Sequence, residues 1–163
     1  MSTRLLDTRQ YAFVNVQVTT AELRDKPLLR QLLQLYQYDF SEFDPVDVDV
    51  DGFYRYGYFD NYWTEPERHP LLCRVDDNWA GFALVRAGTP HDMAEFFVMR
   101  KYRRGGAGTT LARAVFAMFP GEWQVRQMTS NPAATAFWLQ AIPVEFEPGM
   151  LEHGPVQRFT ITP

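Results

Sequence analysis

The residues whose types and spacing say most about chemistry are Arg103-Arg104-Gly105-Gly106-Ala107-Gly108-Thr109, a glycine-dense run just behind Arg100-Lys101. Glycine reaches positive φ without steric cost, so such a run can turn several backbone N–H groups toward one point. A helix opening near Gly108 adds its unpaired N–H donors and the positive end of its dipole. Arg100, Lys101, Arg103 and Arg104 put fixed cations at the rim. Converging amides and cations of this kind hold a pyrophosphate. Two familiar phosphate loops do not fit. A P-loop closes on Gly-Lys-Ser/Thr, whereas Gly108 is followed by Thr109-Thr110 with no lysine. The dinucleotide fingerprint G-x-G-x-x-G, begun at Gly106 and Gly108, needs a small residue where Leu111 stands.

The elements that must position this loop can be read from hydrophobic period and turn residues. A valine-rich strand is expected over Tyr11–Val18. Asp25-Lys26-Pro27 starts a helix to about Tyr38, in which Leu28, Leu32 and Leu35 follow the i, i+4, i+7 rule with Leu29, Leu33 and Tyr36 beside them. The stretch to Trp63 reads as loop with short helices. Leu71–Val75 and Trp79–Ala87 form a hairpin around Asp76-Asp77-Asn78, and Met93–Met99 is the strand before the glycine run. Then come a helix over Gly108–Phe119, a strand over Glu122–Thr129, a helix over Pro132–Gln140 opened by Asn131, and strands at Val144–Phe146 and Gln157–Thr162. The order is that of a mixed α/β domain with a right-handed crossover at its centre.

Composition narrows the function classes. Sixteen Lys and Arg against 20 Asp and Glu give a net charge of −4, against the basic excess of a general nucleic-acid binder. Cys73, the single cysteine, excludes an intrachain disulfide and a cysteine-rich zinc site; among Leu71, Leu72 and Val75 it reads as a small core residue. Asp47-x-Asp49-x-Asp51-Gly52 copies the first half of an EF-hand loop, but its twelfth position is Tyr58 where a bidentate Glu belongs, so no metal is expected. No apolar run approaches the ~20 residues of a membrane span, and no basic leader precedes an apolar stretch. The expectation is one cytoplasmic domain over residues 1–163, with no nucleic-acid or membrane partner.

Arg103, Gly106 and Gly108 meet the pattern R/Q-x-x-G-x-G/A, with the strand Glu95-Phe96-Phe97-Val98-Met99 before it and Asn131-x-x-Ala134-x-x-Phe137-Trp138 after it. In these motifs and in the order of its elements from Tyr11 to Thr162, the chain resembles the GNAT superfamily of N-acetyltransferases. The resemblance implies an α/β (α+β) fold: a mixed, mostly antiparallel sheet, a central strand-helix-strand crossover, and helices on both faces. It implies acetyl-CoA as co-substrate, its pantetheine arm inserted where two central strands splay apart and bonded to the backbone around Phe97, Val98 and Met99. The Val98 amide would point at the thioester oxygen. Arg103, Arg104, Gly105, Gly106, Ala107, Gly108 and Thr109 would hold the phosphates, with Asn131, Ala134 and Phe137 in the second motif. The family moves acetyl directly from thioester to amine. The amine here is open: a small molecule or a protein. A coenzyme A-binding sensor without turnover is the alternative.

Glu95 lies on the strand where some members carry a general base for the ammonium proton; a solvent-facing or Arg-paired carboxylate is the other reading. Trp138 stands where many members have a tyrosine that protonates the leaving thiolate, and an indole N–H cannot titrate in that way. Ile142-Pro143 replaces the usual Gly-aromatic pair. Between Tyr36 and Trp63 the acids Asp39, Glu42, Asp44, Asp47, Asp49, Asp51 and Asp60 mix with many aromatics. Exposed rings at that density would form an apolar patch, so they must enter the core, a pocket or a second copy of the chain. Tyr36, Asp39, Asp47, Asp49 and Asp51 are accordingly candidate contacts for a cationic, partly apolar amine, a solvated acidic loop being the plainer reading.

Overall fold

The computed structural model describes residues 15–163. Seven strands form one sheet in the order β1-β2-β3-β4-β5-β7-β6: β1 Val16–Thr20, β2 Arg68–Val75, β3 Asn78–Arg86, β4 His91–Val98, β5 Gly121–Arg126, β6 Glu147–Leu151 and β7 Gly154–Ile161. Every neighbouring pair is antiparallel except β4 with β5. That parallel pair requires a crossover, which α2 (Ala107–Met118) supplies. The helices α1 (Lys26–Phe40) and α3 (Pro132–Ala141) complete the regular elements.

The side-chain period of two along the strands builds a core on each face. Leu71, Cys73 and Val75 of β2 pack with Leu111, Val115 and Phe116 of α2 and Trp138 of α3. Leu72, between them in sequence, goes to the other face, with Phe82, Leu84, Phe97 and the α1 stripe Leu29, Leu32 and Leu33. The resemblance's mixed sheet, central crossover and helices on both faces are therefore present. Cys73 is fully buried, and burial pushes its thiol up to about 11.

Several expected boundaries move. The Tyr11–Val14 part of the first strand lies outside the described residues; the strand itself runs Val16–Thr20. Asp25 does not cap α1 with its side chain, but accepts from the Glu22 N–H at 2.9 Å and closes the preceding 3-10 turn. The α1 helix continues to Phe40, and Leu35 is exposed. The strand expected at Val144–Phe146 is instead β6, Glu147–Leu151. Its Pro148 argues against a strand on local grounds, yet β6 is an edge strand with only β7 beside it among the described residues, where a missing N–H is tolerated. The hairpin at Asp76-Asp77 forms as expected, both aspartates having positive φ as a two-residue turn demands.

Candidate active site

β4 and β5 pair only at His91–Trp123 and Asp92–Gln124. From Met93 onward they diverge, leaving an open wedge whose β4 wall carries Phe96 and Val98. Met99 N–H donates to Ala80 at 2.8 Å on the β3 side. The alternation of an antiparallel ladder then turns the Phe97 N–H toward β3 and directs the N–H and C=O of Val98 into the wedge. Of the three amides expected to serve a cofactor arm, those of Phe97 and Met99 are thus spent on β3, and Val98's is the one that faces the gap. Gly81, paired with Val98, is required here: a Cβ would stand 2.0 Å from the Phe97 carbonyl oxygen.

At the mouth of the wedge the glycine run builds the expected loop. Arg104 has φ 65° and Gly106, the residue before α2, has φ 85°. The N–H groups of Ala107, Gly108 and Thr109 open the helix without intrahelical acceptors. Gly108 lets the helix end seat against its neighbours, since a Cβ there would lie 3.1 Å from Phe137 and 3.8 Å from Val98. A hollow at the loop is lined by Arg100, Arg103 and Arg104. In the second motif Asn131 opens α3 as expected. Asn131 Oδ1 accepts the Ala134 N–H at 3.1 Å, so both residues are engaged in capping α3, which in turn sets Phe137 against Phe96, ring centroids 5.5 Å apart. Trp138 is buried between Phe96, Phe116 and Phe137 as a core residue.

On the opposite face, β4 carries a bulge. Leu84 pairs with Glu95 but Val85 with Met93, leaving Ala94 as the extra residue. The bulge resets the side-chain phase and puts Asp92 and Glu95 on the same face. Asp92 is buried and takes Arg126 through two bonds, at 3.1 and 2.6 Å, locking the last paired rung of β4 and β5. Glu95 accepts the hydroxyl of Tyr36. Burial raises the Glu95 pKa, opposed by hydrogen bonding from Tyr36 and Tyr56 and by the charge of Arg126. Burial, reinforced by the Glu95 charge, holds both tyrosines well above their ordinary pKa, so they remain protonated donors. The Tyr62 hydroxyl, buried close by, has no hydrogen-bond partner among the described residues.

The acid-rich segment divides. Gln34 of α1 grips Tyr54 at both its N–H and its C=O, each 2.8 Å away. The hollow beneath is lined by Arg30, Asp49, Asp51, Tyr56 and Phe59 among others, and through Tyr56 it adjoins Glu95. Asp49 spends its carboxylate on the N–H groups of Asp51 and Phe53 and on Arg55. Asp51 lines the same hollow, while exposed Asp47 does not. Asp39 is elsewhere: it binds Arg100 and Arg103 beside the glycine loop. No spacing rule foretells that α1 would meet the loop there, since the partners are 61 and 64 residues away.

The site thus joins a splayed parallel pair, an amide-rich loop and, on the sheet face that packs against α1, the half-buried carboxylate of Glu95. The acetyltransferase (GNAT) family model matches residues 29–141, and the chain belongs to that family, whose chemistry is acetyl transfer. No curated protein matches the sequence. Among solved structures, the chain is similar to an acetyltransferase from Thermus thermophilus (14% identity, 88% of this chain and 94% of that one, TM-score 0.67). It is also similar to the PaiA N-acetyltransferase of Thermoplasma acidophilum in complex with coenzyme A (10% identity, 90% and 99%, TM-score 0.63). A third is an aminoglycoside acetyltransferase in complex with coenzyme A and kanamycin (15% identity, 90% and 95%, TM-score 0.65). At such identities the likeness is one of fold.

Proposed function

We propose that the chain, as one domain over residues 1–163, transfers an acetyl group from acetyl-CoA directly to a primary amine. The observation that carries the reading is the wedge itself: Val98 presents an N–H to a gap that ends at an arginine-rimmed, amide-bearing loop. Acetyl-CoA supplies the activated thioester. Arg104 and the N–H groups of Gly105, Gly106, Ala107, Gly108 and Thr109 hold its phosphates, while Phe137 walls the gap. Val98 N–H stabilises the charge that develops on the thioester oxygen, the role of an oxyanion donor.

The acceptor reaches Glu95 from the side of Tyr36 and Tyr56, past the hollow that Asp49 and Asp51 line. Glu95 takes the ammonium proton as general base, its raised pKa matching it to that task better than an exposed glutamate. The amine nitrogen then bonds to the carbonyl carbon as the carbon–sulfur bond breaks; coenzyme A leaves as thiolate, and the excess proton on the nitrogen passes to that thiolate or to solvent, leaving the neutral amide. Trp138, shut in the core, has no part in that step.

The test is two-stage. Calorimetry with acetyl-CoA and with coenzyme A should give binding at one site per chain; no heat with either ends the reading. Incubation with acetyl-CoA and a pooled amine library should then release free thiol above the blank. Binding without release would favour the coenzyme A sensor instead.

A further inference from the structure

Asp39 follows Tyr36 on α1 by three residues, a spacing that sets both on one helix face. Its carboxylate accepts Arg100 Nε at 2.9 Å and Arg103 Nη2 at 2.5 Å, and Arg100 Nη2 as well. The side chain is 19% exposed, against 72% and 40% for the two arginines, so Asp39 is the inner member of the group. Burial works to raise its pKa, but the hydrogen bonds from Arg103 and Arg100 outweigh it and the carboxylate stays ionised. Arg103 does not point outward in response. Its Nε donates to the Val98 carbonyl oxygen at 2.7 Å. The first arginine of the phosphate-loop pattern is therefore committed on two sides, to α1 and to the residue whose N–H faces the wedge.

We propose that Asp39 is a positioning residue for acetyl transfer: acting through Arg103, it fixes the backbone at Val98 so that the N–H is held toward the thioester oxygen. The inference rests on the acetyl-CoA reading. On the wedge side Val98 has no β5 partner, and the Arg103 bond to its carbonyl fills that place: it restrains the Val98–Met99 peptide from that side and, through the shared Val98 Cα, the neighbouring Phe97–Val98 peptide that carries the N–H. Asp39 in turn restricts Arg103, whose free side chain has many rotamers. One helix thereby sets both sides of the reaction, Tyr36 addressing Glu95 and Asp39 addressing Val98 through Arg103.

The probe is acetyl-CoA carrying carbon-13 at the thioester carbonyl, bound to the full chain. Infrared difference spectroscopy reads the carbonyl stretch, which falls in frequency as its hydrogen bond strengthens, and calorimetry reads affinity on the same samples. In Asp39→Asn the stretch should rise and broaden while Kd stays within about threefold of the wild type, under 1 kcal/mol. Arg103→Lys, which keeps the cation but loses the fork that reaches both partners, should show the same spectral change. Asp39→Glu should move the stretch back toward the wild type. An unchanged stretch in Asp39→Asn overturns the proposal, whether affinity tightens because released arginines turn to phosphate or weakens because the loop loosens. Loss of all binding with an unchanged melting temperature overturns it too, by making Asp39 a determinant of affinity. Absence of binding by the wild type would instead fell the acetyl-CoA reading beneath it.

Discussion

The hydroxyl of Tyr36 donates to the Glu95 carboxylate, joining α1 to β4 across 59 residues of sequence. Burial lifts the Glu95 pKa and this bond draws it back. A base must be deprotonated to act, so the rate should fall as pH drops through that raised value. The acid limb of kcat/KM is expected above the ordinary glutamate value of about 4.3. Tyr36→Phe removes a donor to the charged form, so the limb should move to still higher pH. A pH–rate profile with any acceptor found in the amine screen checks both; a limb that moves down contradicts the assignment.

Glu95→Gln removes the proposed base while keeping the shape. Its kcat should drop by about 10²–10⁴, the usual worth of general acid–base catalysis. Stability gives a second readout. With the folded pKa raised, the native state binds more protons than the unfolded one between the two pKa values, so the group's contribution falls as pH rises through that window. The glutamine variant lacks this dependence. Thermal melts of both proteins across the window should show the wild type losing stability with rising pH relative to Glu95→Gln.

Arg103 and Arg104 are neighbours with different duties. Arg103 is tied to Asp39 and Val98, whereas Arg104, with positive φ, has no ion pair among the described residues. Arg104→Glu should weaken acetyl-CoA binding by about 2 kcal/mol or more, since a charge-assisted hydrogen bond contributes ~1.5–3. Calorimetry should find roughly a 30-fold rise in Kd.

Gly81 has no room for a methyl group, the Phe97 carbonyl oxygen lying 2.0 Å from where it would sit. Gly81→Ala must push β3 from β4 in the fully buried part of the sheet, at a cost of about 2 kcal/mol or more. Denaturant melts should report the loss. Gly105, where an added Cβ would meet open space, should tolerate alanine with little change in stability.

What the sequence determined by itself is local. The glycine–arginine run, the helical spacing of the leucines from Leu28 to Leu35, the Asp76-Asp77 turn and the apolar run Leu71–Val75 are short-range patterns of period and backbone preference, and they fix the elements and the glycine loop, though not that Leu29 and Leu33, rather than Leu28 and Leu35, would join Leu32 in the core. Tertiary structure decided the rest, because each remaining feature depends on registers that no short window contains. The Ala94 bulge brought Asp92 onto the face that Glu95 shares with Phe97, and the packing of α1 on that face set Tyr36 against a half-buried Glu95; the divergence of β4 from β5 left Val98's N–H facing the gap; edge placement allowed Pro148 in a strand. Asp39 was legible only as an acid in an acid-rich stretch. The packing of α1 against the sheet carried it away from that stretch to Arg103, since a carboxylate leaving water settles where cations can hold it.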